Sequence, residues 1–179
     1  MRIYTRTGDD GTTGLLFGGR VRKDSPPLSA CGDVDEAQAA LGLARTVAVR
    51  GSELDELLVE LARNLWVLMA ELATATANRS KLRPGETLVT QAMVDRLEAH
   101  IDELGERFGA PSEFVVPGQS PAAAFLDLAR TVTRRAERHA LVTAAPGSMV
   151  VPYLNRLSDL LWTMARAQED EPLPARQKE

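Results

Sequence analysis

Arg130, Arg134 and Arg138 recur at every fourth position, so in a helix their guanidinium groups share one face. Three like charges in a row repel one another. Such a stripe needs anions to offset it, either carboxylates on a neighbouring helix or the phosphates of a ligand. The plainer alternative is a basic face that stays hydrated, but the apolar flanks LDLA and HALV suggest a helix buried on several sides. Glu137 falls on or beside the same face. A second group opens the chain: Thr5, Arg6, Thr7, Gly8, Asp9, Asp10, Gly11, Thr12 and Thr13, followed by Gly18-Gly19-Arg20 and Lys23. Glycines let backbone N–H groups approach phosphate oxygens, threonine hydroxyls add donors, and Arg and Lys neutralise charge. A Gly/Asp turn closing a hairpin, with hydrated basic residues, is the competing reading.

Three smaller groups follow. Asn155, in the run Asn155-Arg156-Leu157-Ser158-Asp159, offers a donor and an acceptor to an adenine or ribose edge, or equally to an interhelical hydrogen bond. Asp33, Asp35 and Glu36 suit the positive end of a helix dipole, and Asp35 or Glu36 could also pair with the arginine stripe. Phe114 begins an apolar loop, Phe114–Gly118, that could cover a ligand or plug a gap between helices.

Other chemistries are excluded by what is missing. The chain has two histidines, His100 and His139, and neither forms the Glu-x-x-His pair of di-iron bundles. Walker, Rossmann and nucleophile-elbow patterns are absent. Cys31 stands alone, which rules out an internal disulfide or a thiolate zinc site and suits a reducing cytoplasm. The net charge is −4, so nothing global points to nucleic acid or an anionic membrane surface. The N-terminus lacks the apolar core of a signal peptide, and no run reaches a membrane span. The expected location is the cytoplasm.

The elements that must position these groups are helical. The chain has 179 residues, 44% hydrophobic and 26% charged, the size and composition of one globular domain. Residues 1–28 read as loop with a short hairpin. Apolar stripes then predict helices over 29–49, 52–76, 87–108, 120–143 and 149–168, with Ser52 and Ser120 as N-caps and Pro121 in the first turn. Residues 77–86 read as loop. The expected fold is all-α, a five-helix bundle preceded by an N-terminal nucleotide-binding loop or hairpin. One domain spans 1–170, with a flexible tail over 171–179.

Taken in order, TRTGDDGTTGL at 5–15, GGRVRKD at 18–24, GDVDE at 32–36, FVVPG at 114–118, ARTVTRRAER at 129–138 and YLNRLSDLLW at 153–162 resemble the cobalamin adenosyltransferases of the propanediol-utilisation and human methylmalonic-aciduria type. The resemblance runs over nearly the whole chain. It implies transfer of the 5′-deoxyadenosyl group of ATP to the cobalt of a reduced corrinoid, cob(I)alamin, by a homotrimer with active sites between subunits. Magnesium would arrive with the ATP phosphates. A reductase and a B12-dependent enzyme would be partners. By position, Thr5, Arg6, Thr7, Gly8, Thr13, Lys23, Arg134, Arg135, Glu137, Arg138 and Asn155 would contact ATP or shape its pocket. Asp35 and Arg130 would form a salt bridge between subunits near the corrinoid. Phe114 would press on the lower face of the corrin and remove the lower ligand. Arg134, Glu137, Arg138 and Phe114 are thereby assigned to catalysis.

The chain departs from the family pattern at Asp10 (commonly Lys), Gly14 (Ser or Thr), Gln38 (Asn), Gln119 (Gly) and Asp127 (His). The first two lie in the nucleotide loop. They motivate an alternative in which the same bundle is a non-catalytic ATP/corrinoid-binding chaperone or regulator.

Overall fold

The computed structural model describes residues 3–109, 113–171 and 173–176. Two short antiparallel strands, β1 (Thr12–Gly14) and β2 (Arg20–Arg22), form a hairpin with Thr13 opposite Val21. Five α-helices follow: α1 (Pro26–Val47), α2 (Glu53–Leu72), α3 (Gln91–Phe108), α4 (Pro121–Ala140) and α5 (Val150–Arg166). A 3-10 helix, Thr76–Lys81, stands between α2 and α3.

α5 is central because it is apolar on most sides. Tyr153, Leu154, Leu157, Leu160 and Leu161 are fully buried, and the helix packs against α4 on one flank and α3 on the other. α4 packs in turn on α1, and α1 on α2. Ion pairs close the ring between α2 and α3: Glu60 with Arg96 at 2.5 Å and Glu53 with Arg107 at 2.5 Å. No helix among the described residues is long and apolar enough to cross a membrane.

The expected caps are present at two helices. Ser52 accepts from Asp55 N–H and Ser120 from Ala123 N–H. The other boundaries differ for local reasons. α1 starts three residues earlier than its apolar stripe suggests, because Pro26 and Pro27 occupy the first turn, where a missing N–H costs no helical bond. α2 ends at Leu72, and the 3-10 helix takes up part of the segment read as loop. α3 starts at Gln91 because Thr90 caps it and because the preceding Val89 N–H is held by Glu71 at 2.8 Å. Residues 173–175 of the tail run back along the Phe114 loop. Val116 N–H donates to Leu173 O and Ala175 N–H to Phe114 O, both at 2.8 Å.

Glu71 is the polar node of the fold. It is 2% exposed and accepts from Arg79 Nη2 at 2.9 Å, Ser148 Oγ at 2.6 Å and Val89 N–H. It thus ties α2, the 3-10 helix and the segments leading into α3 and α5. Glu71→Ala should lower stability by about 3–5 kcal/mol, because it leaves Arg79 partly buried without its anion. Thermal melting should fall on the order of 10 °C. A melting point within a degree of wild type would mean that the node is not structural.

Candidate functional site

Two regions carry the residues singled out above, and the structure builds them on different elements. The N-terminal segment is organised by short polar contacts. Asp10 accepts from the backbone N–H of Thr12 at 2.9 Å and from its hydroxyl at 2.8 Å, bonds that hold the Asp10 carboxyl below the usual carboxylate range. Arg20 donates to Thr7 O and to Thr12 Oγ1, both at 2.6 Å, and lies 3.7 Å from Asp10. Thr5 and Thr7 share a hydrogen bond at 2.8 Å. Arg6 has a positive φ of 63° and its guanidinium lies 5.5 Å from the Tyr4 ring centroid. Lys23 folds over Gly8. A Cβ at Gly8 would meet Lys23 Nζ at 3.0 Å and Thr12 O at 3.1 Å, so glycine is what lets the ammonium close over this turn. Thr5, Arg6, Thr7, Gly8, Thr13 and Lys23 thus fall on one exposed loop and hairpin. The hairpin is fastened to the bundle where Leu16 N–H donates to Ala73 O at 2.8 Å, just past α2.

Of the two departures in this loop, Asp10 has become part of the turn itself. Gly14 has open space where a side chain would project and no positive φ, so the backbone does not demand glycine there.

The second region is the outer face of α4. Arg134 and Arg138 are exposed and Arg130 is half-buried, all on one stripe as their spacing predicts. Arg138 Nη1 donates to Arg134 O at 3.0 Å. Glu137 accepts from Asn155 Nδ2 at 3.1 Å, and Asn155 Oδ1 accepts from Arg156 at 2.7 Å. Beside them, burial pushes the pKa of Asp159 up, while Arg156 and Arg134 partly offset the shift. Arg135, one residue from Arg134, turns the other way. It pairs with Asp33 at 3.0 Å and with Glu36, tying α4 to α1, and His139 pairs with Asp33 as well. Glu36 therefore meets Arg135 rather than a member of the stripe.

Asp35 is exposed on α1, and Arg130 donates to Asp127, so within one chain Asp35 and Arg130 are not paired. Among the described residues no hydrogen bond or ion pair joins the N-terminal loop to the arginine stripe. Phe114 is 86% exposed, which removes the interhelical-plug reading of its side chain.

A pocket of about 580 Å3 lies between α3 and α5; no arginine of the stripe lines it, but Arg156 on its wall donates to Asn155, the partner of Glu137. Glu98, Asp102, Arg156, Asp159, Trp162 and Arg166 are among its lining residues. Gly109, just past the end of α3, also lines it. Trp162 stood in the sequence only as the end of the YLNRLSDLLW run, with no role of its own, and Arg166 was unmarked. Their shared signal is a large aromatic and an arginine four residues apart on one helix. No cluster of three or more His, Cys, Asp or Glu among the described residues is placed to hold a metal ion.

The loop, the arginine stripe and the pocket stand on a five-helix bundle with a short N-terminal hairpin. The chain belongs to the cobalamin adenosyltransferase family, whose model matches residues 3–168. It is 44% identical over 170 residues to the corrinoid adenosyltransferase of Mycobacterium tuberculosis, covering 92% of this chain and 87% of the relative. It is 40% identical over 177 residues to that of Citrobacter freundii, covering 96% and 97%. Among solved structures, a variant of the PduO-type ATP:corrinoid adenosyltransferase from Lactobacillus reuteri complexed with cobalamin and ATP superposes with a TM-score of 0.86 at 27% identity, covering 98% of this chain and all of that one. A second variant of the same enzyme, complexed with ATP, gives a TM-score of 0.82.

Proposed function

We propose that this chain transfers the 5′-deoxyadenosyl group of ATP to the cobalt of cob(I)alamin or a related corrinoid, as a homotrimer with active sites between subunits. The observation that carries this reading is the outward-facing Arg134 and Arg138 next to the Glu137–Asn155 pair, which Arg156 links to the α3–α5 pocket. An exposed guanidinium pair suits a triphosphate, and a pocket of that volume suits a large ligand face. The complex of the Lactobacillus reuteri relative with both cobalamin and ATP supports the pairing of these two ligands.

The reaction asks little covalent chemistry of the protein. Cobalt(I) supplies the electron pair of the new cobalt–carbon bond, the C5′–O bond breaks, and triphosphate leaves with its pair. Cobalt is thereby oxidised by two electrons, and no proton moves, so no general base is required. The protein's tasks are to offset charge that grows on the triphosphate and to align cobalt with C5′. Arg134, Arg138 and Lys23 serve the first, with magnesium carried in on the phosphates rather than caged by side chains. Glu137 and Asn155 hold the nucleoside end, with Thr5, Arg6, Thr7, Gly8 and Thr13 folding over the phosphates. Arg135 shapes the pocket indirectly by fixing α4 on α1. Phe114 and the Trp162 side of the pocket exclude water from the lower face of the corrin.

The separation of the N-terminal loop from the stripe within one chain supports the shared-site arrangement. The loop of one copy faces the α4 stripe of the next, and Asp35 of one copy meets Arg130 of the other. A cytoplasmic setting, a reductase that supplies cob(I) and a B12-dependent enzyme that takes the product complete the reading. The direct test is incubation of the protein with ATP, magnesium and chemically reduced cobalamin while the cobalt–carbon bond is followed by absorbance. Binding of both ligands without product would favour a chaperone. For assembly, sedimentation at micromolar concentration should give about three times the 19.4 kDa chain mass. A clean monomer would reject the shared site.

A further inference from the structure

A run of four charged side chains crosses from α4 into the end of α5, and nothing above assigns it a role. Asp127, 6% exposed, divides its carboxylate between two arginines. Oδ1 accepts from Arg130 Nε at 3.1 Å and Oδ2 from Arg166 Nη2 at 2.6 Å. Arg166, also 6% exposed, continues to Glu169 through Nε and Nη2, both at 2.9 Å. Its guanidinium lies 5.9 Å from the Trp162 ring centroid, and Trp162 and Arg166 both line the α3–α5 pocket. Two cations and two anions balance, but ion pairs this dry are seldom better for stability than apolar packing of the same volume. Their value is in geometry. A carboxylate that grips two guanidinium groups fixes where each can be.

We propose that Asp127 is a positioning residue for the corrinoid: it sets Arg130 at the subunit interface and the Arg166–Trp162 wall of the pocket in one fixed relation. Gripped through Nε, Arg130 loses freedom along its stem while both Nη groups stay uncommitted among the described residues, ready for a second acceptor. Gripped from α4, Arg166 holds the Trp162 ring against the pocket. The corrin therefore meets a wall already in place, and the ordering of two long side chains is complete before it binds. This rests on the reading of Arg130 as an interface residue that meets Asp35 of another copy.

The experiment compares Asp127→Ala, Arg130→Ala and the double variant as full-length protein, with cob(I)alamin and ATP each titrated. Asp127→Ala removes both acceptors, while Arg166 keeps its fork to Glu169 and Arg130 can hydrate, so the fold should stand. The corrinoid KM should rise about tenfold, with the ATP KM and kcat within about twofold of wild type. Most of that rise should vanish when Arg130 is already alanine, because the two act as a unit. An unchanged corrinoid KM in Asp127→Ala, with a raised one in Arg130→Ala, would overturn the coupling and leave the role of Arg130 standing. An unchanged KM in Arg130→Ala would overturn both. A fall in melting point with equal losses toward both substrates would make Asp127 merely structural and overturn the proposal. If Asp127→Ala does not accumulate folded, Arg130→Lys carries the test. Read beside Asp127→Asn, which keeps the side-chain volume but leaves one oxygen acceptor for two guanidinium groups, it separates the two roles: a raised corrinoid KM in Asp127→Asn supports the proposal, and a wild-type KM there, with a raised one in Arg130→Lys, overturns it.

Discussion

Arg138→Ala should lower kcat/KM by about 30- to 900-fold, the equivalent of roughly 2–4 kcal/mol of lost transition-state stabilisation. The argument rests on where the side chain stands. Arg138 is exposed, and among the described residues its side chain makes one hydrogen bond, to the Arg134 carbonyl at 3.0 Å, so little of the fold depends on it. Its charge is available to a triphosphate whose negative charge grows as the C5′–O bond breaks. The loss should appear mainly in kcat, since a charge that matters more in the transition state than in the ground state is the one that accelerates. Circular dichroism and melting should match wild type. Unchanged turnover in a soluble, folded Arg138→Ala protein would reject the assignment of the stripe to ATP.

Phe114→Ala should divide two assays that a structural residue would move together. The side chain is 86% exposed, so its removal opens no core cavity and the several-kcal/mol penalty of a buried phenylalanine does not apply. It has no polar atom and can neither bind phosphate nor move a proton. ATP affinity should therefore stay near wild type. Conversion that starts from free, chemically prepared cob(I)alamin should fall modestly, because that species has no lower ligand to remove. Conversion that starts from bound cob(II)alamin and a reductase should fall about tenfold further, because a ligated, hydrated cobalt is harder to reduce. Equal losses in the two assays would place the corrinoid away from Phe114. A large loss of melting temperature would instead mean that the side chain packs in the assembled protein.

The helices were legible because each carries an apolar stripe at helical spacing, and the stripe on α4 was legible for the same reason with arginine in place of leucine. What the sequence concealed lies between elements. Arg134 and Arg135 are neighbours in the chain but stand about 100° apart on a helix. One therefore faces outward and the other clasps Asp33, a residue 102 positions away. No local pattern announces such a pair. Asp127 presented itself only as an unusual residue, and its two arginines became visible once α4 and α5 were packed. Pro26 and Pro27 fell in the 1–28 stretch read as loop with a short hairpin, yet proline in a first helical turn is permitted, and α1 begins there. The 3-10 helix is too short to leave a periodic signature.

The arginine stripe also acts as a ruler. From Arg130 to Arg138 the backbone of α4 rises about 12 Å at 1.5 Å per residue, and a straight helix cannot be stretched to change that. On the proposed assignment of Arg130 to the corrin and Arg138 to the triphosphate, the distance between the two ligands is written into the residue count of one helix, not into the shape of a loop. A single residue inserted between Arg130 and Arg138 would swing one end by about 100° relative to the other. Length variation among related chains should therefore collect in the hairpin, the segment before α3 and the tail, while the interval between these arginines stays constant.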